Sequence, residues 1–332
     1  MEELYLIIFI FRKKMIYLSK PKVVISKCLG FSNCRYNGGT ENNEFVTRLK
    51  DYVDFITVCP EIGMGLGTPR EAIRVVEING ENRLLQSKTK RDLTENMNEF
   101  AKDFLSSLDE VDGFILKSKS PSCGIRDVKI YPSIEKGGIS KRGEGRFSSI
   151  IREAYPNITI EDDGRLKNLK IREHFLTKLF TLNRFKKCKE INEISELLKF
   201  HKENKLLFMS YNQRQLKALG QILGNIDGRE KRDVFNEYSI ILNNIFSKVP
   251  RYTSNINVLI KSMGYFSNYI SHNEKEFIID TIEKYRSNKV PLSVPLNLIK
   301  GYAIRFEKEN LLKQSFFNPF PEGLIELSDS GK

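Results

Sequence analysis

The sequence predicts two domains of different class: an α/β domain over the first half and an all-α domain over the second. Three observations carry this. Short β-branched runs alternate with helix-periodic stretches up to about residue 165. Beyond that point long helical patterns follow one another with few strand signals. A polar, glycine-containing stretch (EDDGRLKN, residues 161–168) lies between the two regimes.

Taken in order, the chain opens on an apolar run, Leu4–Phe11, followed by Arg12, Lys13 and Lys14. The run is far short of the roughly 18 apolar residues that span a bilayer, and no small-residue cleavage site follows it. Residues 1–19 therefore read as an extension ahead of the first strand, with Met15 as an alternative start. Lys22–Ser26 (KVVIS), Asp54–Val58 (DFITV) and Gly113–Leu116 (GFIL) read as strands. Thr94–Leu108 sets Met97, Phe100, Ala101, Phe104 and Leu108 on one helical face, and Glu144–Ala154 reads as another helix. This alternation predicts a Rossmann-like parallel sheet covered on both faces, over residues 20–165.

From 170 to 330 helices are expected at Ile171–Cys188, Ile194–Ser210, Gln213–Leu223, Lys231–Val249 and Glu274–Arg286. Breaks are expected at Tyr211–Asn212, Gly224–Gly228, Pro250 and Pro291–Pro295.

Charge is uneven. The whole chain carries +12, from 54 basic and 42 acidic residues. Residues 171–332 hold 26 Lys and Arg against 18 Asp and Glu, a net of +8; the first 170 hold 28 against 24, a net of +4. A basic second half suits a polyanionic partner such as RNA, and equally a solvated lysine-rich surface. Arg184, Lys186, Lys187 and Lys189 are candidate phosphate contacts. Tyr252 and Tyr265 are placed in the core rather than on bases, as aromatics in helical regions usually are.

Five cysteines, an odd number in a long chain, argue against a secreted disulfide framework and for a cytoplasmic protein that uses some of them for metal or catalysis. Their positions are informative. Cys28 comes two residues after the first strand, Cys59 directly after the second, and Cys123 seven residues after Leu116. Ligands of open parallel sheets bind at the carboxyl ends of the strands, so three cysteines distant in sequence are expected to meet there. Their spacings of 31 and 64 residues match no zinc-finger or ferredoxin pattern along the chain.

The loops around these cysteines are built for a site. Cys59 opens CPEIGMGLGTPREAI, whose Gly63, Gly65 and Gly67 are expected to let backbone approach a ligand, with Glu61 in reach of the same pocket. Cys123 lies in Lys117–Gly124 (KSKSPSCG), a loop of hydroxyls and ammonium groups. Arg35, Tyr36 and Asn37 follow Cys28. Cys34 is a fourth ligand or a spare thiol, and Cys188 and the three histidines are read as incidental.

The segments SKCLG…RYNGG, VCPEIGMGLGTPRE and LKSKSPSCG, in this order over residues 20–165, resemble the TudS-like thiouracil desulfurase family. The segments INVLIKSMGYFSNYI and VPLSVPLNLIKGYAIRF resemble a YbgA-like helical domain. The pair together is similar to the RudS type of desulfidase, which acts on 4-thiouridine in transfer RNA. This resemblance implies a [4Fe–4S] cluster held by Cys28, Cys59 and Cys123, with one iron left open to sulfur. It implies catalytic roles for Glu61 and Ser120, with Ser122 as neighbour. Asn37, where many relatives have Asp, and Cys34, where relatives often have an aliphatic residue, depart from the pattern.

The chemistry expected is desulfuration without net redox change. Glu61 activates a water and Ser120 hydrogen-bonds the ring. Arg35, Tyr36, Arg70, Lys117, Lys119 and Ser122 are expected around the substrate, the cations near its phosphate. The partner is thiolated tRNA or a free thiolated nucleobase, with no membrane. A zinc-stabilised RNA-binding module without catalysis is the reading from another class.

Overall fold

The computed structural model describes residues 20–133, 135 and 139–325; the extension 1–19 and the last residues of the chain lie outside the described residues. The chain divides into two compact units, residues 1–175 with 323–332 and residues 176–322.

The first unit is built on a four-stranded sheet in the order β2-β1-β5-β8, all parallel. Its strands are β1 (Lys22–Ser26), β2 (Asp54–Val58), β5 (Gly113–Leu116) and β8 (Thr159–Asp162). In β1 Val23, Val24, Ile25 and Ser26 are all buried, as expected of a central parallel strand covered on both faces. On one face Val24, Phe114 and Leu116 pack with Met97, Ala101 and Leu105 of helix α3 (Thr94–Ser106) and Phe147 and Ile151 of helix α4 (Arg146–Ala154). Val23, Ile25 and Ile115 are buried on the other face, and helix α1 (Glu44–Leu49) buries Phe45, Val46 and Leu49.

The register brings the strand ends level. Ser26 pairs with Val58, and Leu116 with Asp162. The chain leaves β1 for β2 on one side and later returns to β5 on the other. The carboxyl ends of β1 and β5 therefore flank the point where strand order reverses, the place where such sheets open a crevice.

A second sheet, in the order β4-β3-β6-β7, was not expected from the sequence. Strands β3 (Ile73–Ile78) and β4 (Glu81–Gln86) form a hairpin closed by Asn79 and Gly80, with φ of 52° and 82°. Asn-Gly is the residue pair that two-residue hairpin turns favour. Strand β6 (Val128–Tyr131) pairs with β3 in parallel, and β7 (Lys141–Gly143) with β6 antiparallel. Of the outer strands, β4 is half exposed and β7 is only three residues long, so both lack the apolar run that marks β1 or β5.

The second unit is helical. Helix α5 (Leu169–Ile191) runs across the division between units, which is why no loop marks it. It is followed by α6 (Ile194–Tyr211), α7 (Gln213–Gly224), α8 (Lys231–Ile245), α9 (Tyr252–Met263), α10 (His272–Arg286), α11 (Ser293–Arg305) and α12 (Glu309–Leu312). Their core holds Leu197, Phe208, Leu219, Phe235, Tyr238, Leu242, Val258, Leu259 and Ile299. Ser271 and Glu274 close a capping box at the start of α10. The expected break at Pro291–Pro295 is only partly one: Pro295 lies in the first turn of α11, where its missing N–H has no intrahelical partner to lose. Among the described residues, no helix is long and apolar enough to cross a membrane.

Candidate active site

Each candidate side chain is set by a strand end. At β1, the Ser26 hydroxyl accepts from the Lys117 amide at 2.9 Å and hydrogen-bonds the Cys123 thiol, tying the ends of β1 and β5 together. The chain then turns through half-buried Cys28 and folds back. The Cys28 carbonyl accepts from the Glu41 amide at 2.9 Å and the Thr40 hydroxyl at 3.1 Å. This return carries buried Cys34, then Arg35 and Tyr36, along the same edge.

At β2, Cys59 is the N-cap of a single helical turn, α2 (Pro60–Gly63), with Pro60 at its first position. Proline suits that position because its fixed φ is already helical. Glu61 thus sits in the first turn, two residues from the thiol. Gly63 meets protein rather than ligand: a Cβ there would fall 2.0 Å from the Phe100 ring, so α2 lies against α3 only because the residue is glycine. Gly65 serves a turn, with φ of 88°.

After β5, the Ser120 hydroxyl accepts from the amides of Cys123 (3.1 Å) and Ser122 (3.3 Å), a side-chain-closed turn. A Cβ on Gly124 would lie 2.8 Å from the Ser120 carbonyl, so the loop can close only over glycine. Cys123 is buried at its base.

Cys28, Cys34, Cys59 and Cys123 line one cleft of about 730 Å³ together with Glu61, Ser120, Arg35, Tyr36, Arg70, Lys117 and Lys119. Ser122 is fully buried just behind it. Its hydroxyl donates to Glu61 Oε1 at 2.5 Å, and Ser120 Oγ lies 3.1 Å from Ser122 Oγ. Burial, then the neighbouring Cys59, pushes the Cys28 thiol up to about 11. Burial and the adjacent Cys59 and Cys28 push Cys34 up to about 12. Burial likewise raises Cys123. These thiols are close enough to oppose one another's ionisation, so several thiolates here need a positive centre among them.

The donors on the cleft are thiols, the soft ligands that iron–sulfur clusters use. In an iron–sulfur cluster the thiolates bind different irons and need not converge on one point. Cys34 is placed beside Cys59, whose Sγ lies 3.8 Å from the Cys34 carbonyl.

Several candidates have other duties than those expected. Arg70 does not reach toward a phosphate. Its Nε and Nη2 both contact Glu61 Oε2 at 2.7 Å, and the remaining donors go to the carbonyls of Cys34 and Gly67 and to the Thr68 hydroxyl. Lys117 is bound by Asp163 at 2.7 Å and Glu41 at 2.8 Å. Burial opposes its charge, but the hydrogen bonds to Asp163 and Glu41 outweigh that and hold its ammonium above the ordinary lysine value. Arg35 faces Glu41 at 3.6 Å. Lys119 is exposed, with φ of 58°, and Tyr36 is half exposed.

Sequence reasoning missed Asp163, Glu41 and Ser26. The signal for two of them was present. Asp163 directly follows β8, and Ser26 ends β1, so both sit on the same sheet edge as the cysteines. Glu41 has no such mark, because its loop returns only through the hydrogen bonds to Cys28.

In the helical unit Cys188 packs in the core. Lys187 pairs with Glu190, Lys189 reaches Asn236, and Arg184 donates to the Pro319 carbonyl. Tyr252 and Tyr265, expected in the core, are instead 53% and 46% exposed.

Comparison with known proteins places these features. The 2-thiouracil desulfurase family matches residues 23–163, and a family described as a protein of unknown function, DUF1722, matches residues 205–321. The uncharacterized protein YbbK of Bacillus subtilis is 35% identical over 109 residues, 31% of this chain and 72% of that protein. The uncharacterized protein YbgA of Escherichia coli is 28% identical over 158 residues, 47% of this chain and 93% of that protein. A solved structure, the [4Fe-4S]-dependent thiouracil desulfidase TudS, is 27% identical, covers 44% of this chain and 93% of its own, and superposes with a TM-score of 0.37. With Cys28, Cys34, Cys59 and Cys123 all inside the matched segment, the chain belongs through residues 23–163 to the 2-thiouracil desulfurase family, a family of desulfidase enzymes.

Proposed function

We propose that the chain replaces the sulfur of a thiolated uracil ring by oxygen, taking water and giving sulfide, and that its substrate is 4-thiouridine in tRNA. The observation that carries the reading is the position of Glu61. It stands on the cleft lined by Cys28, Cys59 and Cys123, with both carboxylate oxygens held in place.

Cys28, Cys59 and Cys123 would hold a [4Fe–4S] cluster, which supplies a soft Lewis acid for a thiocarbonyl sulfur. The rest is done by the chain. A carboxylate offers about four acceptor positions. Glu61 gives two on Oε2 to Arg70 and one on Oε1 to Ser122, which leaves one on Oε1 for a water. That water attacks the ring carbon, and Glu61 Oε1 takes its proton. The new hydroxyl then gives up its remaining proton as the carbonyl forms, the C–S bond breaks, and the sulfur leaves with both protons of the water as hydrogen sulfide, which returns Glu61 to its carboxylate. Electrons balance without a reductant or oxidant. The Ser120 hydroxyl, beside Ser122, orients the ring from the cleft wall.

The +8 balance of residues 171–332 favours a polyanionic substrate. The family's description, 2-thiouracil desulfurase, favours the second reading, a free thiolated base. The test is to load the protein with cluster anaerobically and compare sulfide release from 4-thiouridine-containing tRNA and from free thiouracil. We expect release from tRNA at the higher kcat/KM. Release from the free base alone overturns the tRNA assignment, and release from neither overturns the desulfidase reading.

A further inference from the structure

Three thiols suffice for the proposed cluster, yet a fourth, Cys34, lines the same cleft. Its place is fixed by the backbone. Arg70 ties the return after Cys28 to the loop after Cys59 at two points: its amide donates to the Tyr36 carbonyl and its Nη2 to the Cys34 carbonyl, both at 2.9 Å. This sets Cys34 against Cys59. The Cys59 Sγ lies 3.8 Å from the Cys34 carbonyl, and the two thiols hydrogen-bond each other. Cys28 acts on Cys34 as a nearby charge, and the Cys123 thiol is engaged by the Ser26 hydroxyl. The paired thiols differ in access: Cys59 is half-buried, whereas Cys34 is only 1% exposed.

We infer that Cys34 is a resolving thiol for Cys59: a peroxide oxidises Cys59, and Cys34 closes the pair into a disulfide that thiol reductants reopen. The chemistry balances in two steps. The Cys59 sulfur attacks one peroxide oxygen, the O–O bond breaks, and a sulfenic acid and one water result. The Cys34 sulfur then displaces the sulfenic oxygen, which leaves with the Cys34 proton as a second water. The two sulfurs together lose two electrons, and the two peroxide oxygens gain them. Cys59 reacts first because it is the more exposed, and Cys34 resolves it because it is already in contact. Closure asks only a short approach of the two sulfurs, to about 2 Å. The disulfide occupies Cys59 and keeps iron out until a reductant opens it. Without Cys34 the sulfenic acid goes on to sulfinic and sulfonic acids, which thiols do not reverse. The consequence for iron rests on the reading of Cys59 as a cluster ligand; the disulfide itself does not.

The test uses the full chain before cluster loading, treated briefly with a small excess of hydrogen peroxide and quenched with an alkylating agent. Mass spectrometry of the wild type maps the linkage after tryptic and chymotryptic digestion, since cleavage after Phe31 separates Cys28 from Cys34. We expect a peptide pair joined through Cys34 and Cys59. A second arm reads iron uptake after dithiothreitol. The wild type is expected to regain its iron per chain. Cys34→Ser, which takes up iron like the wild type when never oxidised, is expected to regain at least about threefold less, with Cys59 found as sulfinic or sulfonic acid. Linkage of Cys59 to Cys28 or Cys123, or no linkage at all, overturns the inference, and so does equal recovery of iron in the two proteins. Mapping is done on the wild type, so that arm stays decisive even if the variant folds poorly. A Cys34–Cys59 disulfide with undiminished iron uptake before reduction would sink Cys59 as a cluster ligand and leave the redox pair standing.

Discussion

Arg70 holds Glu61 by two nitrogens on one oxygen, Nε and Nη2 each 2.7 Å from Oε2, while Ser122 takes the other oxygen. The arrangement leaves the carboxylate one way to face. Arg70 is itself fixed by the Cys34 and Gly67 carbonyls, so the loop after Cys59 and the return after Cys28 set the same side chain. Its role is therefore to position Glu61.

Arg70→Lys keeps the charge and loses the planar fork. We expect kcat to fall about 10- to 100-fold, the usual cost of a misplaced catalytic group, with KM little changed. Glu61→Gln is expected to lower kcat more. Iron and acid-labile sulfide content checks both variants, since a proportional loss of cluster would make the pair structural instead.

The cysteines divide three to one in the proposed ligand set. Cys28→Ala, Cys59→Ala and Cys123→Ala are each expected to abolish cluster retention, read as iron per chain and visible absorption. Cys34→Ser is expected to keep it, because Cys34 is a neighbour of Cys59 added to a set already sufficient. Loss of iron in Cys34→Ser at the level of the other three would make it a fourth ligand.

The cysteine edge was legible because it depends on one rule and on strand position. β1, β2 and β5 are apolar runs that the sequence displays, and whatever follows them shares an edge. The duties of Arg70 and Lys117 were not legible. Each depends on which carboxylate the fold brings near, and Asp163 and Glu41 are 46 and 76 residues from Lys117. The β3–β4 hairpin was missed although Asn79–Gly80 announces it, because its outer strand alternates too weakly to read as a strand. Gly63 was misread because a glycine that admits a ligand and one that admits a phenylalanine look alike in sequence.

Lys117 and Lys119 are two residues apart and are expected to behave oppositely. Lys117→Met leaves Asp163, nearly fully buried, without its cation and Glu41 with only Arg35 at 3.6 Å. Removing one partner of such a pair costs about 3 kcal/mol or more, read as a lower urea midpoint. Lys119→Met, at an exposed site, is expected to change stability by less than about 0.5 kcal/mol and to act only on KM for a phosphorylated substrate. Equal stability of the two variants would contradict the buried bridge.

His201 makes the helical unit sensitive to mild acid. Its Nδ1 lies 3.1 Å from the hydroxyl of fully buried Tyr238, and burial, then Lys205, lowers its pKa to about 4. An unfolded histidine titrates near 6.5. Above that pH both states are neutral, and the residue contributes no pH dependence. As pH falls from about 6.5 toward 4, the unfolded chain binds a proton that the native chain refuses, so stability drops. Allowing for the partial exposure of the ring, the loss is on the order of 1–2 kcal/mol. His201→Gln retains a hydrogen-bonding group beside Tyr238 but cannot titrate. The difference in urea midpoint between wild type and this variant is therefore expected to shift against the wild type between pH 7 and pH 5. A difference that stays constant over that range would mean that His201 takes up its proton alike in the folded and the unfolded chain.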